Sequence, residues 1–343
     1  MILETRIFGT SEEDIEQAAE IIKNGGLVAF PTETVYGLGA DALNPEAVGK
    51  VYAAKGRPSD NPMIVHISSK GDLTKLTCRI TDDMKLLMDA FWPGPLTMVV
   101  PARAIVPRVT TGGLDTVAVR MPSDPLAAAL IEKSGVPIAA PSANLSGRPS
   151  PTSARHVMDD LDGRIDAIIE GDNCKVGIES TVVDMTGEIP SILRPGIITK
   201  SQLSKALGKN VEIDPALTQK PEMVKTGGLL ETSSDFRPKS PGMKYKHYAP
   251  KAEMIIYRGE RQKVAAAMAE EKLRRAEQGQ KVEIIMYDDN DPEKAARDFF
   301  ANLRACDKAG ADVILATALK EDGVGFSVMN RMFKSAGYNI VDV

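Results

Sequence analysis

Apolar residues along this chain occur in short runs, and the spacing of the runs changes at two places. Up to about residue 210, runs that suit buried strands mix with segments whose apolar residues recur at helical spacing. From residue 251 onward the two patterns alternate regularly, whereas the segment between keeps neither period. We therefore predict a first domain over 1–210, a linker over 211–250 and a second domain over 251–343.

The first domain is predicted to be a mixed α/β structure. Its opening helix has its apolar residues on one face, and Thr10 with Glu13 are predicted to form its capping box. Further helices are predicted at 44–54, 81–90, 125–133 and 155–161, and strands at 27–30, 63–68, 96–100, 116–120, 136–140, 165–170 and 180–184. Because the two kinds of element do not strictly alternate, we expect a twisted mixed sheet with helices packed against it.

The second domain has a βαβαβα rhythm. Strands are predicted at 254–257, 282–287 and 313–318, and helices at 261–278, 292–308 and 328–336. This order predicts a small parallel sheet covered on both faces. The first strand is not followed by G-x-G-x-x-G, so the pattern does not support a dinucleotide site.

The linker is rich in proline, glycine and polar residues. Its last part, Ser240–Pro250, is aromatic and basic, which is unusual for a simple spacer. A linker of this length is generally either disordered or functional.

Composition and charge narrow the function classes. A net charge of −5 argues against a strongly basic nucleic-acid surface. The three cysteines are far apart and form no C-x-x-C, so we expect neither a disulfide framework nor a zinc site. We find no signal-peptide pattern and no apolar run of the roughly 20 residues that a membrane span needs. The sequence therefore predicts a soluble, cytoplasmic protein.

The first candidate for chemistry is the polar stretch Phe30–Ala40, which follows a short apolar strand. It places Thr32, Glu33, Thr34 and Tyr36 close together. Read as structure, it is a strand-to-helix turn with threonine caps. Read as function, it is one wall of a binding pocket, and the stretch alone does not decide between the two.

The second candidate is the loop around Lys55 and Arg57, which is bounded by glycine and proline. An ammonium and a guanidinium there suit an anion such as phosphate, although a solvated basic turn would give the same pattern. His66 follows on a half-buried strand, where a histidine is more often part of the core than a catalyst. With only three histidines in the chain, a metal site built on histidine is not expected.

The third candidate is Pro141–Ser150, a loop of small and polar residues directly after an apolar strand. Open α/β sheets bind ligands at the carboxyl ends of strands, and small residues let backbone N–H groups approach a phosphate. An ordinary loop would have the same composition. The chain has no P-loop and no G-x-S-x-G elbow, so a basic, hydroxyl-rich cleft without an obvious nucleophile is left. Such a cleft suits phosphoryl or nucleotidyl transfer.

Taken together, the three motifs resemble the YrdC family of threonylcarbamoyl-AMP synthases. The resemblance is carried by Pro31–Leu38, by Lys55-x-Arg57 with Asn61-Pro62, and by Ser142-x-Asn144. The segment 240–250 and the second domain resemble the longer, two-domain form of that family. The resemblance implies a YrdC-like twisted mixed sheet, a small C-terminal Rossmann-like parallel α/β domain, and a linker that closes over the active site.

The family resemblance also implies an activity. Its members make L-threonylcarbamoyl-AMP from L-threonine, bicarbonate and ATP and release pyrophosphate, with Mg²⁺ expected to be carried by the nucleotide. The product serves the N6-threonylcarbamoyladenosine modification at position 37 of tRNA, through a tRNA threonylcarbamoyl-transferase complex. The expected partners are small-molecule substrates; direct tRNA contact is left open as a secondary interaction, and no membrane is expected.

Site residues follow from the same resemblance. The positions expected to bind threonine are Thr34, His66, Arg120, Ala140, Ser142 and Ser180. Those expected to bind ATP are Arg57, Asn61, Thr116, Ser142, Ser150, Arg194 and, from the linker, Tyr245. Lys55 and Arg57 are expected to be catalytic, and no metal ligand is assigned.

Two alternatives stay open at this point. An RNA-binding module could bind a tRNA backbone in a basic cleft. The net negative charge of the chain and the lack of aromatic residues for base stacking in the cleft weigh against it. A carbamoyl-phosphate-using relative from hydrogenase maturation would carry zinc-finger and acylphosphatase modules, which this sequence lacks. The second domain either holds the linker in place or has a ligand site of its own, and the sequence favours neither.

Overall fold

The computed structural model describes residues 4–218, 223–226, 229–232 and 248–343. These residues fall into two compact units. The first lies within Met1–Ser146 and Ser150–Tyr245, and the second within Gly147–Pro149 and Lys246–Val343.

The first unit is built on mixed helices and strands, as the sequence predicted. Its helices are α1 (Glu12–Lys23), α2 (Pro45–Lys55), α3 (Leu73–Leu76), α4 (Asp82–Phe91), α5 (Pro125–Ser134), α6 (Ala154–Leu161) and α7 (Lys200–Leu207), with short 3₁₀ turns at Lys70–Asp72 and Pro215–Leu217. Its strands are β1 (Arg6–Phe8), β2 (Val28–Phe30), β3 (Gly37–Asp41), β4 (Ile64–His66), β5 (Leu96–Pro101), β6 (Thr116–Arg120), β7 (Ile138–Ala139), β8 (Ala167–Ile169), β9 (Thr181–Asp184), β10 (Ser191–Arg194), β11 (Glu212–Ile213), β12 (Met223–Thr226) and β13 (Leu229–Thr232).

One 11-stranded sheet organises this unit, in the order β1-β8-β2-β3-β7-β4-β6-β5-β9-β10-β11. Parallel and antiparallel neighbours are mixed: β4 runs parallel to β6, and β5 runs antiparallel to β6 but parallel to β9. The predicted mixed sheet is therefore confirmed. β12 and β13 form a separate antiparallel pair.

Helices cover both faces of this sheet. Neighbouring residues of a strand point to opposite sides, so each strand contributes apolar side chains to both faces. In β2, Ala29 packs into one apolar cluster with residues of α2 and α4, and Phe30 into another with residues of α1 and α5. Burial of these apolar faces is the main favourable contribution to folding of the unit. It also holds the strand ends that carry the polar loops in fixed positions.

Several local predictions are confirmed and others are wrong. Strand β6 has the predicted bounds, and α2 begins after an Asn44 side chain that caps it, with Pro45 at its first position. The cap of α1 is Ser11, which accepts the N–H of Asp14, and not Thr10 with Glu13. The two candidate caps are neighbours of the same chemical type, so the spacing of apolar residues could not separate them.

The stretch Phe30–Ala40 does not form a strand-to-helix turn, which was one of its two interpretations. Its second half is strand β3, which pairs antiparallel with β2 in the register Phe30 to Gly37. This strand was not predicted, because a strand rich in glycine shows no alternation of apolar and polar side chains. A Cβ on Gly39 would lie 2.8 Å from both Phe30 and Ile138, so glycine is required where the neighbouring side chains cross the strand.

The second unit has a four-stranded parallel sheet. It consists of β14 (Glu253–Arg258), α8 (Arg261–Glu277), β15 (Val282–Ile285), α9 (Pro292–Ala309), β16 (Val313–Thr317), α10 (Gly323–Ser335) and β17 (Ile340–Asp342), with the strand order β15-β16-β14-β17. The predicted parallel α/β domain is confirmed. The last helix begins at Gly323, in a stretch of small residues, and therefore earlier than the predicted residue 328. Strand β17 was not predicted.

The two faces of this sheet carry different helices. Val264 and Met268 of α8 pack against Ile255, Val313 and Leu315. The alternate strand residues Met254, Ile256 and Ile314 are buried as well and point to the opposite face. Helices α9 and α10 pack against each other. The domain boundaries at 210 and 250 stay predictions, because most of the predicted linker lies outside the described residues.

Within the described ranges, no helix is long and apolar enough to cross a membrane.

Candidate active site

Three polar side chains lie side by side at the centre of the large sheet. His66 ends β4 and Arg120 ends β6, and the two are paired in register; Thr97 of β5 pairs with Arg120 from the other side. All three are buried in a sheet whose other positions here are mostly aliphatic. Burial of a charged guanidinium requires partners, so the surroundings of Arg120 define the site.

Arg120 is held by the loop between β2 and β3. Its Nη1 donates to Thr34 Oγ1 at 2.9 Å and its Nε to the carbonyl of Gly94 at 3.3 Å. Its Nη2 lies 2.7 Å from Glu33 Oε1, with both side chains at most 10% exposed. The angles of this last contact do not meet hydrogen-bond geometry, so it is an ion pair and not an aligned hydrogen bond.

Thr32 explains why the loop folds back so tightly. Its hydroxyl accepts the backbone N–H groups of Thr34 and Val35 and donates to the carbonyl of Val35. It also lies 2.8 Å from Thr34 Oγ1. Such a side-chain turn replaces the backbone pairing that a strand would make. Thr32 therefore stabilises the turn between two strands and caps no helix, while Thr34 points its hydroxyl at Arg120.

The buried imidazole of His66 is neutral. Burial and the charge of Arg120 lower the pKa of His66 to about 3. Its ring meets Phe30 edge-on, with the ring centroids 6.2 Å apart. A neutral ring beside a guanidinium can offer hydrogen bonds to a ligand, but it does not supply a proton near neutral pH.

A second polar group joins the ends of β5, β9 and β10. Ser180 Oγ lies 2.8 Å from Thr97 Oγ1 and accepts from Arg194 Nη2 at 3.1 Å. Arg194 Nε and Nη2 also donate to the carbonyl of Ser180. A Cβ on Gly196 would collide with the backbone of Ser180 and Thr181, so glycine allows this close approach.

Lys55 anchors the loop after β7. Its buried ammonium donates to the carbonyls of Ser142 and Asn144. Ser142 Oγ donates to Asn144 Oδ1 at 2.6 Å, and the backbone of Ser142 bridges to Gly37. The loop that carries Ser142 therefore lies directly beside the strand that follows Thr34.

The remaining predicted residues lie around this centre. Arg57 Nη2 donates to the carbonyls of Pro62 and, at 3.4 Å, of Asn61, and Asn61 is buried. Ser150 Oγ donates to Glu179 Oε1 at 2.5 Å. Ala140 follows β7 and donates its N–H to the carbonyl of Ile64.

The structure thus brings the predicted residues together in contacting sets. Thr34 touches Arg120, Ser180 touches Arg194, and Lys55 touches the Ser142 loop. Thr116 begins the strand that Arg120 ends, about 13 Å away at strand spacing, and no described contact joins it to the others. Tyr245 lies outside the described residues.

Sequence reasoning missed three polar residues of this site. Glu33 was read as part of the turn, yet it is the ionic partner of Arg120. Thr97 could have been identified as a hydroxyl residue in the otherwise apolar run of β5. Glu179 could have been identified by its position next to Ser180. Among the described residues, no group of three or more His, Cys, Asp or Glu side chains could hold a metal ion.

Comparison with protein families matches the chain in two parts that meet near residue 197, which is earlier than the boundary between the two compact units. Residues 20–196 match the Sua5/YciO/YrdC family, which carries the description telomere recombination. Residues 198–337 match a family described as the threonylcarbamoyl-AMP synthase C-terminal domain.

Named relatives match nearly the whole length. A threonylcarbamoyl-AMP synthase of Pyrococcus abyssi is 48% identical over 342 residues, covering 97% of this chain and 96% of the relative. A protein of the same name from Bacillus subtilis is 43% identical over 350 residues, covering 97% of this chain and 95% of the relative. The solved structure of P. abyssi Sua5 complexed with L-threonine matches with a TM-score of 0.90 and 47% identity, covering 99% of this chain and 100% of that one.

Proposed function

This chain belongs to the Sua5/YciO/YrdC family, and from that membership we propose that it makes threonylcarbamoyl-AMP, the first step of threonylcarbamoyladenosine formation in tRNA. It is an enzyme that forms an adenylate, and ATP is its nucleotide substrate. The observation that carries the proposal is the near-complete match, over both units, to relatives that bear this name. L-Threonine and bicarbonate are the proposed co-substrates.

The threonine end of the site is proposed to lie at Arg120. A guanidinium binds a carboxylate through paired hydrogen bonds, and Arg120 has a nitrogen, Nη2, that is not committed to an aligned hydrogen bond within the described chain. Glu33 lies on that same nitrogen and has an Oε2 without a hydrogen-bond partner. We infer that a threonine zwitterion is bound by this pair, its carboxylate on Arg120 and its ammonium on Glu33.

Selection of threonine by its side chain is proposed to depend on hydroxyl and methyl contacts. Thr34, His66 and Ser180 supply polar groups, and Ser142 with Ala140 forms the wall beside them. A site that hydrogen-bonds a hydroxyl strongly rejects analogues without one, whereas one methyl group is worth about 1–3 kcal/mol. Serine is therefore expected to be a weak competing substrate and valine a very poor one.

The nucleotide end is proposed to be lined by Arg57, Asn61, Thr116, Ser142, Ser150 and Arg194, with Tyr245 of the linker closing over it. Lys55 and Arg57 are the proposed catalytic cations. Because Lys55 is already bonded to two backbone carbonyls, its charge acts from a fixed position close to the Ser142 loop. Fixed charges of this kind stabilise a transition state without reorganisation.

The proposed reaction has two steps. The bound threonine ammonium first loses a proton to solvent, and the resulting amine combines with bicarbonate to form a carbamate with loss of water. A carbamate oxygen then attacks the α-phosphate of ATP in line, so that pyrophosphate leaves. Positioning and charge neutralisation dominate such a transfer. Any Mg²⁺ is proposed to arrive with the triphosphate, because Mg²⁺ is generally bound through substrate phosphates together with few protein ligands. We further propose that the enzyme acts in the cytoplasm and that a tRNA threonylcarbamoyl-transferase complex uses its product.

Pyrophosphate release tests the reaction directly. It is measured with ATP alone, and then with L-threonine and bicarbonate added separately and together. Release that requires both additions supports the proposal. Release that is independent of both contradicts it.

The threonine site has its own test in Glu33. Glu33→Gln is expected to raise the KM for threonine at least tenfold, since a hydrogen bond to a charged group is worth about 1.5–3 kcal/mol, and to leave the KM for ATP unchanged. Glu33→Asp keeps the charge and is expected to recover part of the loss. Glu170→Gln, at an exposed carboxylate, is the matched control. An unchanged threonine KM in Glu33→Gln would remove Glu33 from substrate binding.

A further inference from the structure

The second unit contains a short segment that is distant from the rest of it in sequence. Gly147, Arg148 and Pro149 belong to this unit, although the residues on either side of them belong to the first. The same tripeptide lies inside the loop 141–150, which ends at Ser150 of the proposed nucleotide site. Any contact that fixes Pro149 therefore acts on Ser150 through a single peptide bond.

Arg304 of α9 makes such a contact. Its Nη2 donates to the carbonyl of Pro149 at 2.6 Å, and Pro149 is buried. A hydrogen bond from a charged donor is shorter and stronger than one between neutral groups. The carbonyl belongs to the peptide group that Pro149 shares with Ser150. Because this peptide is trans, fixing its C=O also fixes the backbone N–H of Ser150, which points the opposite way.

A second contact holds the other end of the tripeptide. The backbone N–H of Ala249 donates to the carbonyl of Gly147 at 2.9 Å. Gly147 has a φ of 89°, a conformation in which a side chain would strain the backbone. The first and the last residue of the tripeptide are thus both bonded within the second unit, and glycine permits the turn.

One face of α9 organises these contacts. Phe300, Arg304 and Asp307 are spaced by four and then three residues, so they lie on one side of the helix. The ring of Phe300 packs against that of Tyr248, with the centroids 5.1 Å apart, and Asp307 accepts the backbone N–H of Lys251 at 2.7 Å. This face therefore binds the tripeptide together with the segment that donates to it.

The first unit holds Ser150 separately from this helix. The hydroxyl of Ser150 donates to Glu179 Oε1 at 2.5 Å, and the residue is fully buried. Thr34 and Arg120, at the proposed threonine end, are bonded to each other and not to this loop. A change at Arg304 is therefore expected to reach the nucleotide end of the site and to spare the threonine end.

We propose that Arg304 is a positioning residue for the nucleotide site, which places Ser150 for ATP by fixing the peptide between Pro149 and Ser150. The inference rests on the proposed function, in which Ser150 binds the nucleotide. It gives the second unit a part in the reaction that needs no ligand of its own. The competing interpretation is that Arg304 stabilises the second unit and has no effect on the nucleotide.

Replacing the guanidinium tests the proposal. Arg304→Met removes the donor and keeps an unbranched side chain. The KM for ATP is expected to rise about tenfold, which is the lower end of what a hydrogen bond to a charged group is worth, with kcat and the KM for threonine unchanged. Arg304→Lys can still donate to the carbonyl and is expected to recover part of the loss. Arg297→Met, an exposed change on the same helix, is the matched control and should leave all three constants unchanged.

A double-mutant cycle tests whether Arg304 acts through Ser150. Ser150→Ala removes the hydroxyl whose placement is at issue. In that background Arg304→Met is expected to raise the KM for ATP less than it does in the wild type, because the two changes remove the same interaction. If Arg304→Met does not fold, Gly147→Ala takes its place, since it strains the same tripeptide while Arg304 stays intact.

Hydrogen exchange with mass spectrometry reports the loop without any turnover. A peptide covering 146–153 is expected to exchange faster in Arg304→Met than in the wild type, whereas a peptide covering 62–68 should not change. Binding of a non-hydrolysable ATP analogue is expected to weaken about tenfold in the same variant.

Failure of this inference differs from failure of the proposed function. A wild type that releases no pyrophosphate with threonine and bicarbonate contradicts the proposed function, whereas loop exchange and analogue binding still test Arg304. An unchanged KM for ATP in Arg304→Met, unchanged exchange at 146–153, or effects that add fully with Ser150→Ala would overturn the positioning role.

Discussion

The neutral state of His66 predicts how the stability of the first unit depends on pH. The pKa of His66 is lowered from 6.5 to about 3 by burial and by Arg120, whereas in the unfolded chain it returns to its ordinary value. Between these two values the unfolded state binds more protons than the folded state, so stability falls as the pH falls. Above pH 6.5 the contribution is fully present.

The size of the effect follows from that shift. Between pH 7 and pH 5, only the unfolded histidine takes up a proton, which costs the folded state about 2 kcal/mol. This window lies above the ordinary range of carboxylates, so most acidic groups contribute little to it. Replacing His66 by glutamine removes the titrating group and should reduce the loss between pH 7 and pH 5 by about that amount.

Urea unfolding followed by tryptophan fluorescence measures this change. Trp92 is the one tryptophan of the chain and is buried in the first unit, so its emission reports that unit. Thr34→Val is the control, because it removes a hydrogen bond from Arg120 without removing a titrating group; it should lower stability equally at both pH values. An equal loss of stability in wild type and His66→Gln would refute the assignment of a buried, neutral His66.

Three further changes test the framework of the site. Gly196→Ala should destabilise the first unit by about 1–3 kcal/mol, measured by the same fluorescence, because its Cβ would collide with the backbone of Thr181; an unchanged midpoint would show that the backbone relaxes. Tyr52→Phe should cost about 1 kcal/mol and raise the KM for ATP, since the hydroxyl donates to the carbonyl of Asn61 at 3.0 Å; a changed threonine KM alone would argue against this. Lys55→Met should lower both stability and kcat, because the ammonium is a loop anchor as well as a proposed catalytic charge; full stability with lost turnover would show a purely catalytic role.

Helices and strands were predictable from the sequence where composition and flanking turn residues indicated the same element. Strand β6 is rich in β-branched residues. It follows a loop that contains two glycines and is followed by a proline, and its bounds were predicted correctly. Strand β3 was missed because its glycines carry no side-chain pattern, although their absence of side chains is what lets Phe30 and Ile138 pack across it. Short strands such as β10 gave too few residues for a period to appear.

The side-chain pairings of the candidate site were not predictable from the sequence. Thr34 and Arg120 are 86 residues apart, and nothing local to either shows that their side chains meet at 2.9 Å. The ion pair of Arg120 with Glu33 depends on strand register, which the sequence does not display. Polar residues in apolar strands, such as Thr97, are the one local sign that a buried partner exists.

The strand order of the large sheet also determines when the first unit can fold during synthesis of the chain. Residues 6–8 pair with 167–169, so the edge of the sheet closes only after a long loop has been ordered. A nascent chain that ends before residue 180 already carries Thr34, His66 and Arg120 but lacks Ser180 and Arg194, which complete the polar cluster. Such long-range pairing slows folding, and the polar cluster is complete only after residues 180–194 have been synthesised.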